Sequence, residues 1–172
     1  FPSGAAFMGA AYNIVMYVVL AAWALPVYLI NKLHTFSDYA SILEQWGRLL
    51  MILLSIASAL LIKNLMGKFT EDTEKRHLAG YFFLSSPMLI YCVIILDQYD
   101  IMSVFITLLA LFFFFDKKYY RFSMLFSIAI CFKFFAVLIF LSLILLSEKR
   151  IPKLFLHGSA AASLYAVTTL LY

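Results

Sequence analysis

Asp97, Gln98, Tyr99 and Asp100 put two carboxylates three positions apart, with an amide and a phenol between them. Carboxylates and amides hydrogen-bond hydroxyls, an aromatic ring covers the apolar face of a pyranose, and a carboxylate can act as general base. The cluster therefore suits a sugar. It equally suits a polar hairpin tip, where Asp and Tyr are ordinary turn and interface residues. Lys133 stands alone in the middle of the apolar run Phe122 to Leu146. An ammonium at mid-membrane costs roughly 2.5 to 3.5 kcal/mol or more, so Lys133 is a candidate counter-ion for a lipid-linked phosphate. Its simpler explanations are snorkelling toward the headgroups and a structural Lys-Asp pair.

A third polar group, Ser37, Asp38, Tyr39, Glu44, Gln45 and Arg48, stands at the head of the apolar run Gly47 to Ile62. Glu44 and Arg48 are spaced i, i+4 and read as a helix-surface salt bridge, with Arg48 a weaker phosphate candidate. His34, His77 and His157 fall at the ends of apolar runs without ligand partners in sequence, so they read as interface residues and not metal ligands. Cys92 and Cys131 lie inside apolar stretches and read as packed thiols. GxSxG, HExxH, P-loop and GxGxxG signatures are absent, and nothing visible calls for a metal or cofactor.

The elements that must position these groups are set by composition. Of 172 residues, 65% are hydrophobic and only 13% charged, and mean hydropathy is +0.98. Soluble domains run about 25% charged, so the sequence implies an all-α integral membrane protein. The net charge of +4 has no polar domain to carry a nucleic-acid face, and basic loops at a membrane surface account for it.

Polar breaks fall at Asn31 to Trp46, Lys63 to His77, Asp97 to Asp100, Asp116 to Arg121 and Ser147 to Lys153. Gly47 to Ile62, His77 to Leu96, Lys153 to Tyr172 and the shorter Ile101 to Phe115 are each expected to cross once. Lys63, Lys68, Lys75 and Arg76 mark one cytoplasmic loop, and Lys117, Lys118 and Arg121 another. The Asp97 to Asp100 turn then lies on the opposite face. A single crossing over Phe122 to Leu146 would put Lys149, Arg150 and Lys153 on the wrong side. A turn near Cys131-Phe132-Lys133 removes that conflict, giving two half-helices of about 16 to 20 Å with Lys133 at a re-entrant tip.

Whether Ala5 to Ile30 crosses or lies in the interface stays open, although Tyr12, Asn13, Tyr17, Trp23 and Tyr28 favour the juxtamembrane reading. The expected architecture is a polytopic helix bundle with a broken or re-entrant hairpin near Lys133. Residues 1 to 172 form one transmembrane domain, expected to be a piece of a longer protein because the chain opens on Phe1 and stops within an apolar run.

The order Ile94 to Asp100, an apolar helix, Asp116 to Arg121, and then Ile128 to Phe135 resembles the membrane glycosyltransferases of the C-type fold. In those enzymes a phrase such as "GQYD" precedes a helix, a cytoplasmic turn and a phrase such as "SFK". Phe1-Pro2-Ser3-Gly4 is similar to the "YPP" motif closing the family's large first external loop, with Phe-Pro-Ser in its place. The resemblance implies transfer of a hexose, of mannose or glucose type, from a polyprenyl- or dolichyl-phosphate donor. The acceptor would be a glycan, lipid or protein at the non-cytoplasmic face, in a prokaryotic plasma membrane or the endoplasmic reticulum membrane.

The resemblance also implies that the principal catalytic carboxylate lies upstream of Phe1, leaving this piece inactive alone. Asp97, Gln98, Tyr99 and Asp100 would shape the sugar site, while Lys133, with Arg48 second to it, would bind donor phosphate. The lipid-phosphate sugar is a substrate, and no further cofactor or nucleic-acid partner is implied. The rival from another class is a transporter or translocase of a lipid-linked saccharide, which predicts inverted repeats. None is visible in the sequence.

Overall fold

The computed structural model describes residues 13–34, 36–95 and 98–170, without the side chain of Ile94. Every regular element among them is helical. Asp97 and the Phe1 to Gly4 motif lie outside the described residues.

Helix α1 spans Ile14–Leu33 and starts at Asn13, whose Oδ1 accepts from the Val15 N–H at 3.1 Å. Asn31 Oδ1 accepts from the Phe36 N–H and shapes the turn into the next helix. Helix α2, Tyr39–Met66, is capped by Asp38 and runs 28 residues, about 42 Å at the usual rise. It therefore extends well beyond the expected Gly47 to Ile62 crossing. α1 and α2 are both long and apolar enough to cross a membrane. Trp23 and Trp46 join them. Their rings stack at 5.1 Å, and each indole N–H donates to the other residue's carbonyl at 2.8 Å.

Asp72 starts α3, Thr73–Leu84, by accepting from the Glu74 and Lys75 N–H groups. Gly80 lets α3 press against α2, because a β-carbon there would stand 3.1 Å from the Ala59 carbonyl oxygen. The expected continuous crossing from His77 to Leu96 is interrupted. α3 stops at Ser85, and Pro87 starts the short α4, Pro87–Ile90, followed by a π-helical turn at Tyr91–Ile95. Proline lacks the N–H that a continued helix needs and fits the first position of a new one.

Helices α5, Asp100–Phe115, and α6, Tyr119–Phe132, pack closely. Ser103, Thr107 and Ala110 are buried on α5, and Phe122, Phe126 and Ala129 on α6, so small side chains on one helix admit large ones from the other. α6 ends at Lys133, whose backbone is extended at φ −153° and ψ 126°, and α7 begins at Ala136 and runs to Ser147. The break falls where the isolated charge placed it. Phe140 of α7 stacks on Phe122 at 5.4 Å and meets Phe126 at 5.5 Å, both on α6.

Helix α8, Ile151–Leu170, lies along α6 through a polar seam in an apolar setting. Ser123 Oγ lies 3.0 Å from His157 Nδ1, and the Leu164 N–H donates to Ser127 Oγ. Ser123 Oγ also stands 2.9 Å from the Tyr119 carbonyl, so the hydroxyl bridges the backbone of α6 and the His157 ring. His157 is therefore a buried seam residue, which corrects its expected place at the interface.

The basic loops share one end of the bundle. Lys68, between α2 and α3, pairs with Asp116, between α5 and α6, while Tyr119 at the start of α6 meets His157 near the start of α8. Ten of the thirteen Lys and Arg but only five of the nine Asp and Glu lie at this end. The exterior is broadly apolar, with Leu33, Leu138, Leu146, Phe155 and Leu170 exposed, a surface suited to hydrocarbon.

Candidate functional site

At the opposite end, the start of α5 meets the end of α6. Lys133 Nζ donates to Asp100 Oδ1 at 2.8 Å, so two residues 33 positions apart form one interhelical ion pair. Helix polarity favours this arrangement: Asp100 sits in the first turn of α5, where the dipole is positive, and Lys133 caps α6, where it is negative.

One turn below, the Ala129 carbonyl accepts from Ser103 Oγ at 3.1 Å and from the Lys133 N–H at 3.0 Å. That shared acceptor fixes the register of α5 against α6 and hence the reach of Lys133 to Asp100. Beneath the pair lies an apolar floor of Met16, Met51, Val93, Ile101, Met102 and Phe132. The pair stands about 21 Å from the basic end, the length of a 14-residue helix.

Tyr99 precedes Asp100 and packs, half-buried, against the same floor. A small cleft beside it is lined by Glu44, Gly47, Arg48, Met51 and Tyr99. Gly47 borders the Tyr99 hydroxyl, and a β-carbon there would meet it at 3.5 Å, an ordinary contact. Arg48 Nη2 donates to Glu44 Oε1 at 2.8 Å along α2, the salt bridge that their spacing predicts. Gln98 is half-buried, and its N–H donates to the Cys92 carbonyl at 2.9 Å, closing the π-helical turn.

Tyr99 and Asp100 thus connect two basic groups, Arg48 on the cleft side and Lys133 on the ion-pair side. Gln98 adjoins them in the chain, and Asp97 is outside the described residues. Asp38 and Gln45 serve the start of α2, where Gln45 Nε2 donates to Ser41 Oγ. Such a site has the means to bind an anion through its two basic side chains and hydroxyls through its carboxylate and phenol.

The tryptophan clasp and the Ser123–His157 contact escaped the sequence reading. The i, i+4 pair Ser123 and Ser127 in an apolar helix was the available signal for a polar seam. Cys92 and Cys131 are both free thiols, half-buried and buried respectively.

Two carboxylates at the basic end, Asp72 and Asp116, are displaced in titration. Hydrogen bonds from Lys68 and then Lys118 hold Asp116 below the usual range, and the Lys75 N–H followed by its ammonium does the same for Asp72. Neither belongs to the site. Comparison of the chain with protein-family models, curated proteins and solved structures finds no match.

Proposed function

We propose that the chain belongs to a polytopic membrane glycosyltransferase that moves a hexose from a polyprenyl-phosphate donor to an acceptor at the non-cytoplasmic face. The observation that carries this reading is the ion pair between Lys133 and Asp100, which supplies a cation and a carboxylate at a helix break at one end of an apolar bundle, partly open to the outside. With the basic end facing the cytoplasm, the pair faces the other side. The break at Lys133 and the contact of Phe140 with Phe122 support a re-entrant arrangement of α6 and α7.

In this reading Lys133, assisted by Arg48, holds the donor phosphate and stabilises it as leaving group. The bond from the anomeric carbon to phosphate oxygen breaks with its electron pair going to the phosphate. The acceptor hydroxyl oxygen forms the new bond and gives its proton to a carboxylate expected upstream of Phe1. Asp97, Gln98, Tyr99 and Asp100 orient the sugar.

The test is hexose transfer by the full-length protein in proteoliposomes supplied with defined polyprenyl-phosphate sugars. Lys133→Ala should lower turnover about 100- to 1,000-fold with normal membrane insertion, and Lys133→Arg should retain part of it. Unchanged kinetics in Lys133→Ala would remove the donor-phosphate role.

A further inference from the structure

A second amphiphilic feature lies between α6 and α8. Met124, Leu125 and Ile128 of α6 and Ser163, Leu164 and Val167 of α8 line an open, almost wholly apolar groove on the outside of the bundle. At about 100° per residue, Arg121 falls on the same face of α6 as its three wall residues, which follow it at three, four and seven positions. Lys153 falls in the same arc of α8 as Ser163 and Val167. Arg121 and Lys153 each lie in the first turn of their helix.

The contact between Ser123 and His157 sets the two helices in register, and Arg121 and Lys153 stand within about one turn below it, at similar height. Followed along those helix faces toward the basic end, the apolar walls lead to Arg121 and Lys153, which stand beyond the groove's own lining and give it a cationic mouth. Arg121 lies 5.7 Å from the Phe113 ring, and Lys153 Nζ is a loose 3.8 Å from Glu148. Neither contact matches the strength of a close bidentate bridge to a carboxylate or phosphate.

We propose that this groove binds an anionic phospholipid of the leaflet at the basic end, its phosphate at Arg121 and Lys153 and one acyl chain along the walls. Charge complementarity selects the occupant: a basic mouth above an apolar channel matches an anionic headgroup with its chain and disfavours a headgroup carrying its own ammonium. The inference requires the bundle to lie in a membrane and is independent of the glycosyltransferase reading, whose site is at the other end.

The full-length protein, purified with equal amounts of phosphatidylglycerol and phosphatidylcholine, should retain phosphatidylglycerol selectively in native mass spectrometry. At the usual worth of a basic residue near a lipid surface, Arg121→Gln should weaken retention about fivefold and Arg121→Gln with Lys153→Gln about thirtyfold. Val167→Trp should fill the channel and expel the lipid with both charges in place. Excess inorganic phosphate should not displace it, since the chain contributes most of the binding.

Equal retention of the two lipids would overturn the proposal, as would undiminished phosphatidylglycerol retention in the double variant or in Val167→Trp. Displacement by free phosphate, or no retained lipid because another helix fills the groove, would also overturn it. None of these readouts depends on hexose transfer, so the two readings fail separately.

Discussion

Two lysine–aspartate pairs join helices at opposite ends of the bundle, and their surroundings differ. Asp116 takes Lys68 from the neighbouring loop and Lys118 from its own, the latter at 3.1 Å, and Lys68 Nζ lies 4.2 Å from the centre of the Phe112 ring. Phe69 meets Phe115 edge-on beside it. This carboxylate is doubly paired on connecting loops, and its side chain and that of Lys68 are only 24% and 26% exposed. Asp100 and Lys133 instead meet at converging helix ends above an apolar floor. Their side chains are 30% and 39% exposed, more than those of Asp116 and Lys68, so a single ion pair there contributes little to stability. The comparison teaches that the more enclosed and doubly paired carboxylate stands at the loop end, while the site pair is the one left open to a ligand.

Exchanging the charges gives the largest expected difference. Asp100→Lys with Lys133→Asp restores opposite charges but places each at the wrong helix end, a penalty of about 0.3 to 1 kcal/mol per charge. Folding should largely survive, and turnover should remain down about 100-fold or more because no ammonium stands at position 133. The corresponding exchange of Lys68 and Asp116 should keep turnover within about twofold. Both are read as hexose transfer alongside the unfolding midpoint. Full recovery of turnover in the site exchange would reduce that pair to a structural tie.

The contrast was only partly legible in the sequence. A lone lysine among apolar residues forces either a break or a partner, and the chain supplies both, so Lys133 could be found from local cost alone. The shared end of the two principal basic loops followed from charge and parity. The Ser85-Ser86-Pro87 break was written in the sequence but hidden by surrounding hydrophobicity, which measures burial and not continuity. Arg48 beside Tyr99, Trp23 on Trp46 and Ser123 with His157 depend on which helices pack together, and no local pattern specifies that.

Ser103 offers a smaller and sharper test of what positions the site pair. Ser103→Ala removes the hydrogen bond to the Ala129 carbonyl, a loss of about 0.6 kcal/mol by the usual measure of interhelical bonds in membranes. Because the same carbonyl ends α6 at Lys133, turnover should fall several-fold while donor specificity is kept, and Lys133 geometry should recover in Ser103→Thr. At the loop pair, Phe69→Ala removes an edge-on ring contact worth about 0.5 to 1.5 kcal/mol and should leave turnover unchanged. Equal turnover in Ser103→Ala and wild type would show that the pair finds its geometry without that register.

The smallest effect is an acid titration of the loop pair. Asp116 is held below the ordinary carboxylate value near 3.8 by Lys68 and then Lys118. Between the lowered folded value and the ordinary one, the unfolded chain binds a proton that the folded chain does not, so stability rises with pH. The contribution is therefore complete above the ordinary value and fades as acid protonates Asp116 in the folded protein. Asp72, lowered mainly by the Lys75 N–H, adds a slope of the same sign. Melting midpoints of the purified protein should fall less steeply with acid in Asp116→Asn than in wild type, and less steeply again when Asp72→Asn is added. High salt should flatten the Asp116 part further, since exposed charges are screened. A slope unaltered by both substitutions would place the acid sensitivity on other carboxylates and deprive the loop pair of the electrostatic role that distinguishes it from the site pair.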